Sequence, residues 1–244
     1  MEPAALIELF DNVAAAIRTQ LDHLADWGRA DGHDGQYQHD VVADAVAVPM
    51  LVAAGLGVVS EESPSKPPTN GIIAVIDPID GSTNASMGLP WFATSICAID
   101  DEGPLAALVV NQAIGVTYTA IRGQGAWRDG VRIAPSTCEV LGDAIVILND
   151  APPAHMGWRQ YRVLGAAALD MCAVADGTAD AFVDFGTGLA AWDYLGALLV
   201  CQEAGAVVGQ ISDGDLLDIS PAARINPVAA ATPALGDALI SAAT

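Results

Sequence analysis

Apolar residues recur every three or four positions at the start of the chain, at Leu6, Leu9, Phe10, Val13, Ile17, Leu21 and Leu24. This spacing is typical of a helix with one buried face. The helix is expected to end before Gly28, and a polar segment rich in Gly, Asp and His follows it. Residues 41–55 are largely apolar again and predict a second helix.

Short apolar runs separated by turn residues then replace the helical pattern. The run from Gly57 predicts a strand that stops at Glu61 and Glu62, and residues 72–77 predict a buried strand. Four further runs are separated by Gly or acidic residues and predict an antiparallel meander: 92–100, 104–112, 115–123 and 125–133.

The second half of the chain alternates strands and helices. The predicted strands are 144–148, 180–186, 206–212 and 227–233, and the predicted helices are 159–177, 192–206 and 234–242. This mixture indicates an α/β (α+β) protein with layered αβαβα packing. We place a soft boundary near residue 140, which gives an N-terminal lobe (1–140) and a C-terminal lobe (141–244) within one compact unit.

Charge excludes several classes of partner. The 244 residues include 9 Lys and Arg against 30 Asp and Glu, and the net charge is −21. Such a surface repels nucleic acid and anionic membranes, so we expect neither as a partner. No apolar run is long enough to span a bilayer. The same charge would repel a phosphorylated substrate unless bound cations reversed the field locally.

The four cysteines are far apart and include no CxxC pair. They predict reduced thiols in the core of a cytoplasmic protein, and no zinc site is expected because the histidines do not cluster with them. The first residues lack the basic start and the cleavage site of a signal peptide.

Several carboxylates stand at the ends of apolar elements: Glu61, Glu62, Asp77, Asp80, Asp193 and Asp44. Each alone is ordinary, as a turn residue, a helix cap or a solvated strand end. Together they indicate a site, because α/β folds assemble sites at strand ends and helix starts. Oxygen ligands in this number suit Mg²⁺ or Mn²⁺.

The segment after the buried strand predicts two further features. Pro78 favours an extended turn in which Asp77, the Ile79 carbonyl and Asp80 point the same way. Gly81, Ser82 and Thr83 are similar to a helix N-terminus, whose free N–H groups could hold a phosphate.

These residues form long motifs that resemble one known family. DPIDGSTN (77–84) is preceded by SEES (60–63) and followed by WDYLGALLVCQEAGAVV (192–208), and this combination resembles the inositol monophosphatase family of metal-dependent sugar and polyol phosphatases. VVADAVAV (41–48) resembles that family's first acidic helix, and residues 162–184 resemble the segment between its two signatures. Order and spacing agree over nearly the whole chain.

The resemblance implies a fold of the inositol monophosphatase and fructose-bisphosphatase type and a set of site residues. The implied Mg²⁺ ligands, for two or three ions with Mn²⁺ as an alternative, are Glu61, Asp77, the Ile79 carbonyl, Asp80 and Asp193. Asp44 would pair with Ser82 to orient the attacking water, and Glu61 would also act in catalysis. Phosphate would be held by Gly81, Ser82 and Thr83. The alcohol part of the substrate would lie near Gly165, Ala167 and Asp184, beside Asp80 and Asp193.

The implied reaction is hydrolysis of a phosphomonoester by in-line attack of a metal-activated water. Inositol 1-phosphate is the first substrate to expect and histidinol phosphate the second. Fructose-1,6-bisphosphatase and 3′-nucleotide phosphatase activities stay open on the same scaffold, and so does a non-catalytic metal- and phosphate-binding relative. Relatives also imply a homodimer and inhibition by lithium, and a mean hydropathy of +0.40 leaves room for a buried interface.

Departures from the family lie around the leaving group. The polar loop before the first acidic helix lacks the lysine that relatives often carry, and its polar side chains are His33, Gln36 and His39. Arg159, Arg162 and His155 could approach a second anionic group of the substrate, although we favour the interpretation that they are surface cations.

Overall fold

The computed structural model describes residues 1–31 and 36–243. The helices of these ranges are α1 (Pro3–Leu21), α2 (Gln38–Ala53), α3 (Ser82–Ser86), α4 (Ala167–Ala175), α5 (Ala191–Ala204) and α6 (Pro233–Ala243). In the described part of the chain, no helix is both long enough and apolar enough to cross a membrane. Buried residues of α1 follow the predicted stripe, since Leu6, Phe10, Val13 and Ile17 are all inaccessible to solvent.

The first sheet contains seven strands in chain order, which are β1 (Gly57–Ser60), β2 (Ile73–Asp80), β3 (Ala93–Asp100), β4 (Gly103–Asn111), β5 (Thr117–Ile121), β6 (Gly125–Arg128) and β7 (Val131–Arg132). β1 and β2 are parallel, with Val59 opposite Val75, and each later strand is antiparallel to the one before it. The predicted meander is therefore confirmed. The parallel pair matters most for the site, because it brings the carboxyl ends of β1 and β2 to one sheet edge.

The second sheet contains five strands, which are β8 (Ile145–Asn149), β9 (Gln160–Arg162), β10 (Ala181–Asp184), β11 (Val207–Gln210) and β12 (Pro227–Ala230). Their spatial order is β11-β12-β10-β8-β9. β8 is parallel to both of its neighbours, and β12 is antiparallel to β10 and β11.

Helices and sheets alternate as layers. α1 and α2 cover one face of the first sheet, α4 and α5 lie between the two sheets, and α6 covers the outer face of the second sheet. The central strands β2, β3 and β4 are buried along most of their length, because both faces of the sheet are covered there. This arrangement confirms the predicted αβαβα layering. The first sheet ends at Arg132 and the second begins at Ile145, while the division into two lobes stays a prediction.

Two predicted elements differ from the structure. The helix expected over residues 159–177 is wrong in its first half, where Gln160–Arg162 form the exposed edge strand β9 and the helix begins only at Ala167. Gly165 has φ +83°, a left-handed conformation that a helix cannot include. β2 also runs past its expected end at Asp77 to Asp80, with an irregular register between these two residues that accommodates Pro78.

Helix α5 approaches the first sheet closely at Gly196. A Cβ atom at this position would lie 2.7 Å from Ser95 Oγ on β3, which is closer than non-bonded atoms can come. Within the described residues, Ser95 Oγ is also a buried hydroxyl without a hydrogen-bond partner. The absence of a side chain at Gly196 therefore sets the distance between α5 and the sheet.

We expect Gly196→Ala to lower the free energy of unfolding by about 1–3 kcal/mol, because it overpacks this contact. Ser95→Ala removes the clashing atom, so the double variant should recover much of the loss, and Ser95→Ala alone should be close to neutral. Urea denaturation of the four proteins measures the coupling between the two positions. Additive effects in this cycle would contradict the proposed contact.

Candidate active site

Three carboxylates meet where the first sheet faces helix α5. Glu61 follows β1, Asp77 lies in β2 and Asp193 lies in the first turn of α5, and their oxygens come within 4.8 Å of one another. Parallel pairing of β1 and β2 places Glu61 beside Asp77. Asp193 Oδ2 accepts a hydrogen bond from the Ala190 N–H at 2.7 Å, which fixes it at the helix N-terminus. The sequence thus identified three residues that the fold brings together.

Asp80 belongs to the same edge but has a second partner. Its carboxylate accepts hydrogen bonds from the N–H groups of Ala167 at 3.2 Å and Ala168 at 2.8 Å, at the start of α4. The negative charge stabilises this helix N-terminus. Ala167, expected near the alcohol part of the substrate, therefore contacts Asp80 through its backbone.

Burial, together with the crowding of like charges, raises the pKa values of the whole cluster. Removal from water raises the pKa of Glu61 to about 8, and repulsion from Asp193 and Glu62 adds to this effect although part of the residue faces solvent. Burial is also the main cause that raises the pKa values of Asp77 and Asp80 well above the ordinary range and that of Asp193 to about 6. Bound cations would remove this repulsion, and a set of carboxylate oxygens fits Mg²⁺ or Mn²⁺.

Ser82 pairs with Asp40, and the predicted pairing with Asp44 is wrong. Ser82 Oγ lies 2.6 Å from Asp40 Oδ1, whereas Asp44 Oδ1 accepts hydrogen bonds from Ser60 Oγ at 2.6 Å and Ser63 Oγ at 3.3 Å. The two aspartates are one turn apart on α2, which begins at Gln38 rather than near residue 41. The earlier start places Asp40 in the first turn, nearest to Ser82.

The single proton of Ser82 has two acceptors within reach, Asp40 Oδ1 and the Ile79 carbonyl oxygen at 2.8 Å. A carboxylate is the stronger acceptor, so the proton goes to Asp40. This choice leaves the Ile79 carbonyl available to another partner. It also leaves the lone pairs of Ser82 Oγ to accept a hydrogen bond from a third group, such as a water molecule.

The segment Gly81–Thr83 forms the start of α3, and Gly81 needs its left-handed conformation at φ +86°. A Cβ there would lie 3.1 Å from the Gly165 carbonyl oxygen. Asn84 Nδ2 fastens the same segment by donating to the carbonyls of Trp91 at 2.8 Å and Leu164 at 2.7 Å. The structure thus places Gly165 against this loop, while phosphate binding by Gly81, Ser82 and Thr83 stays a prediction.

A model of the inositol monophosphatase family matches residues 51–243. The chain belongs to this family. Because its members are phosphatases, the predicted enzyme class and the predicted resemblance are confirmed. The acidic cluster is compatible with the divalent metal ions that the inositol monophosphatase family uses.

Known relatives within the family differ in their substrates. An inositol monophosphatase from Mesembryanthemum crystallinum is 30% identical over 183 residues, which cover 69% of this chain and 66% of the relative. A fructose-1,6-bisphosphatase/inositol-1-monophosphatase from Methanocaldococcus jannaschii is 29% identical over 198 residues, or 78% of each chain. A Pyrococcus horikoshii structure described as having similarities to inositol-1 monophosphatase superposes with TM-score 0.89 at 22% identity and covers 99% of both chains. This last likeness shows the fold.

In this inositol monophosphatase family member, Asp184 is held by protein groups. Its Oδ1 accepts from Asn149 Nδ2 at 2.8 Å and from the Gly186 N–H at 3.0 Å, and its Oδ2 accepts from Asn226 Nδ2 at 2.7 Å. The side chain is fully buried. Its predicted contact with the alcohol part of the substrate stays untested, and the three donors already satisfy much of its hydrogen-bonding capacity.

Sequence analysis missed three polar neighbours of the cluster. Asp40 and Asn226 were not selected, and neither was Arg224, whose positive charge lowers the pKa of Asp193 and whose guanidinium lies 5.8 Å from the Trp192 ring. Arg224 could have been noticed as one of only 9 basic residues. Of the loop residues, Gln36 donates to Glu62 and His39 is buried, while His33 lies outside the described residues.

The raised pKa of Glu61 predicts a pH-dependent stability of the metal-free protein. Folded Glu61 keeps its proton up to a pH of about 8, whereas unfolded Glu61 loses it near its ordinary value of 4.5. The folded state therefore binds more protons in this window, and the free energy of unfolding should fall as pH rises from about 5 to about 8.

Denaturation in EDTA at several pH values measures this slope. Glu61→Gln should reduce it, while the raised pKa values of Asp77, Asp80 and Asp193 maintain the rest. Saturating Mg²⁺ should raise stability most at the upper end of the pH window, because the cations replace the lost protons. Identical slopes for the wild-type protein and Glu61→Gln in EDTA would show that Glu61 is not the group responsible.

Proposed function

We propose that this protein is a Mg²⁺-dependent phosphomonoester hydrolase acting on a small polyol or sugar phosphate, with inositol 1-phosphate as the first candidate. The supporting observation is the meeting of Glu61, Asp77 and Asp193 within 4.8 Å, at the sheet edge that ends next to the Ser82–Asp40 pair. A metal-binding cluster and a group able to orient water therefore lie at one place in the fold.

Charge supports the role of cations in this proposal. A net charge of −21 repels phosphate at long range, so bound cations would favour its approach to the site. Mg²⁺ bound to this cluster supplies charge neutralisation for the phosphoryl oxygens and a lowered pKa for a coordinated water. We assign the ligand role to Glu61, Asp77, the Ile79 carbonyl, Asp80 and Asp193, with two or three ions as the expected number.

The remaining chemistry is assigned to side chains of this chain. Ser82 donates its hydrogen bond to Asp40, so Ser82 Oγ is left to accept a hydrogen bond from another group. We propose that this group is the attacking water, which the bond orients. Glu61 reaches solvent at the rim of the cluster and acts on the same water. The N–H groups of Gly81, Ser82 and Thr83 at the start of α3 are assigned to the phosphate.

A sugar bisphosphate is the second candidate substrate. The observation that favours it is Arg224, a cation that acts electrostatically on Asp193 and lies beside Trp192, where it could meet a second anionic group. The Methanocaldococcus jannaschii relative carries both activities in its name. Both arginines also make local hydrogen bonds. Arg224 donates to the carbonyls of Pro221 and Ala223, and Arg162 donates to Tyr161 and Gln160 on the exposed strand β9.

A cytoplasmic location, a homodimer and inhibition by lithium complete the proposal. Free thiols at Cys97, Cys138, Cys172 and Cys201 support a reducing compartment. Exposed apolar side chains at Met87, Leu89 and Ile114 offer surface for subunit contact.

Phosphate release from a substrate panel tests the function. The panel contains inositol 1-phosphate, histidinol phosphate, fructose 1,6-bisphosphate, glycerol 2-phosphate and a 3′-phosphoadenosine nucleotide, each with Mg²⁺, with EDTA, and with Mg²⁺ plus lithium. We expect release that requires Mg²⁺ and is fastest with inositol 1-phosphate. Preference for the bisphosphate would favour the second candidate, and no release from folded, Mg²⁺-bound protein would favour a non-catalytic relative.

Two matched aspartate variants test the assignment of the water-orienting pair. Asp40→Asn should lower kcat by about a hundredfold or more, because the amide oxygen is a weaker acceptor than a carboxylate and the amide NH2 can donate to Ser82 Oγ in place of water. Asp44→Asn, one helical turn away, should keep most of the activity and change mainly the bond to Ser60. Steady-state kinetics on the best panel substrate compare the two, and a larger loss in Asp44→Asn would contradict the assignment.

A further inference from the structure

His39 lies directly behind the Ser82–Asp40 pair and has no role in the function proposed above. Its side chain is fully inaccessible to solvent. Among residues 1–31 and 36–243, neither of its ring nitrogens has a hydrogen-bond partner of normal geometry. A buried polar group in this state is costly, so its presence calls for a functional or structural reason.

The ring is aimed at Asp40. His39 Nε2 lies 3.4 Å from Asp40 Oδ1, the same oxygen that accepts a hydrogen bond from Ser82 Oγ at 2.6 Å. A movement of a few tenths of an ångström would bring the His39 contact into the normal range for a hydrogen bond. Such contacts are often long in the absence of substrate and shorten when the site is filled.

Two aromatic rings fix the imidazole in this position. Tyr37 stacks on it with ring centres 5.2 Å apart and planes 18° apart, and Trp27 contacts it at the same centre distance with planes 35° apart. Tyr37 is buried in turn and carries the Arg29 guanidinium 4.7 Å from its ring centre. These contacts restrict the rotation of His39 and keep its Nε2 edge toward Asp40.

Burial makes the imidazole neutral. Removal from water lowers the pKa of His39, while the Asp40 charge and the Ser82 backbone act in the opposite direction and raise it. A neutral ring carries one proton, on Nδ1 or on Nε2. Two acceptors attract a ring proton, the Asp40 carboxylate and a Ser82 backbone group. The carboxylate is the stronger acceptor, so the proton belongs on Nε2, where it can be donated to Asp40 Oδ1.

We propose that His39 is a positioning residue that donates its Nε2 proton to Asp40 and thereby keeps Asp40 ionised as the acceptor for Ser82. The Tyr37 N–H already holds Asp40 Oδ2 by a hydrogen bond of 2.8 Å. With Ser82 and His39 both donating to Oδ1, the charged form of Asp40 is favoured further and Oδ1 stays aimed at Ser82. His39 and Ser82 then both donate hydrogen bonds to Asp40. Ser82 Oγ is left to accept a hydrogen bond from water. The positioning role rests on the proposed function of the Ser82–Asp40 pair. The tautomer of His39 is independent of that function.

Two substitutions of different chemistry test the catalytic part on the best panel substrate with saturating Mg²⁺. His39→Leu removes the donor and should lower kcat about tenfold with KM changed less than twofold, because His39 acts on the water rather than on substrate binding. His39→Gln can place an amide N–H near the position of Nε2 and should keep kcat within about threefold of wild type. His23→Leu, at an exposed position at the end of α1, is the matched control and should leave kcat unchanged.

Equal losses in the Leu and Gln variants, or a change confined to KM, would overturn the positioning role. A second arm needs no activity, only a His39→Gln variant that folds. Long-range ¹H–¹⁵N spectra of metal-free wild-type protein report the tautomer of each histidine, and the His39 signals are assigned by their absence in His39→Gln. A neutral ring protonated at Nε2 supports the proposal, and a ring protonated at Nδ1 overturns it. If wild-type protein hydrolyses nothing on the panel, the proposed function fails while this second arm still decides the hydrogen bond.

Discussion

Repulsion among Glu61, Asp77 and Asp193 is the constraint on which the rest of this structure depends. Three negative groups within 4.8 Å are unfavourable unless protons or cations neutralise them. The fold holds them together through a parallel strand pair and a helix start, with Asp77 buried and Glu61 reaching solvent. Burial of the apolar layers on both sides of the first sheet offsets the cost of this repulsion. A site that is unstable without cations is also one that binds cations strongly.

Hydrogen bonds between distant parts of the chain complete the site. Asp80 on β2 accepts from the start of α4, and Asn84 on α3 donates to Leu164 just before it. Both contacts cross from the region of the first sheet to the region of the second. Asp184 and Asn226 make a similar link within the second sheet region, beside the helix that carries Asp193. The carboxylates of the cluster are thus positioned by both sheets together.

Local patterns were sufficient to predict the layers, the meander and the strand ends that carry Glu61 and Asp77. The alternation of apolar and polar residues and the length of apolar runs indicate which strands are buried. A strand that is apolar on both faces needs another layer of the protein packed on each face. They could not show which aspartate of α2 faces Ser82, because that depends on the rotation of the helix against the sheet. They also missed β9, since Gln160–Arg162 are exposed and only their pairing with β8 makes them a strand. The hydrogen bonds of Asp184 and the position of Arg224 depend on the fold of the loop before β12, for which the sequence has no periodic signal.

The contact between Asp80 and α4 has a consequence for how activity can arise during folding. Asp80 and Ala168 are 88 positions apart in the chain, so their hydrogen bond forms only after the second half of the chain has docked on the first. Before docking, Asp80 is a solvated carboxylate with an ordinary affinity for cations, and α4 lacks the charge at its N-terminus. With Asp80 in the proposed ligand set, metal binding and the final docking step would be thermodynamically coupled. A newly made chain would remain inert toward cellular phosphoesters until its fold is complete.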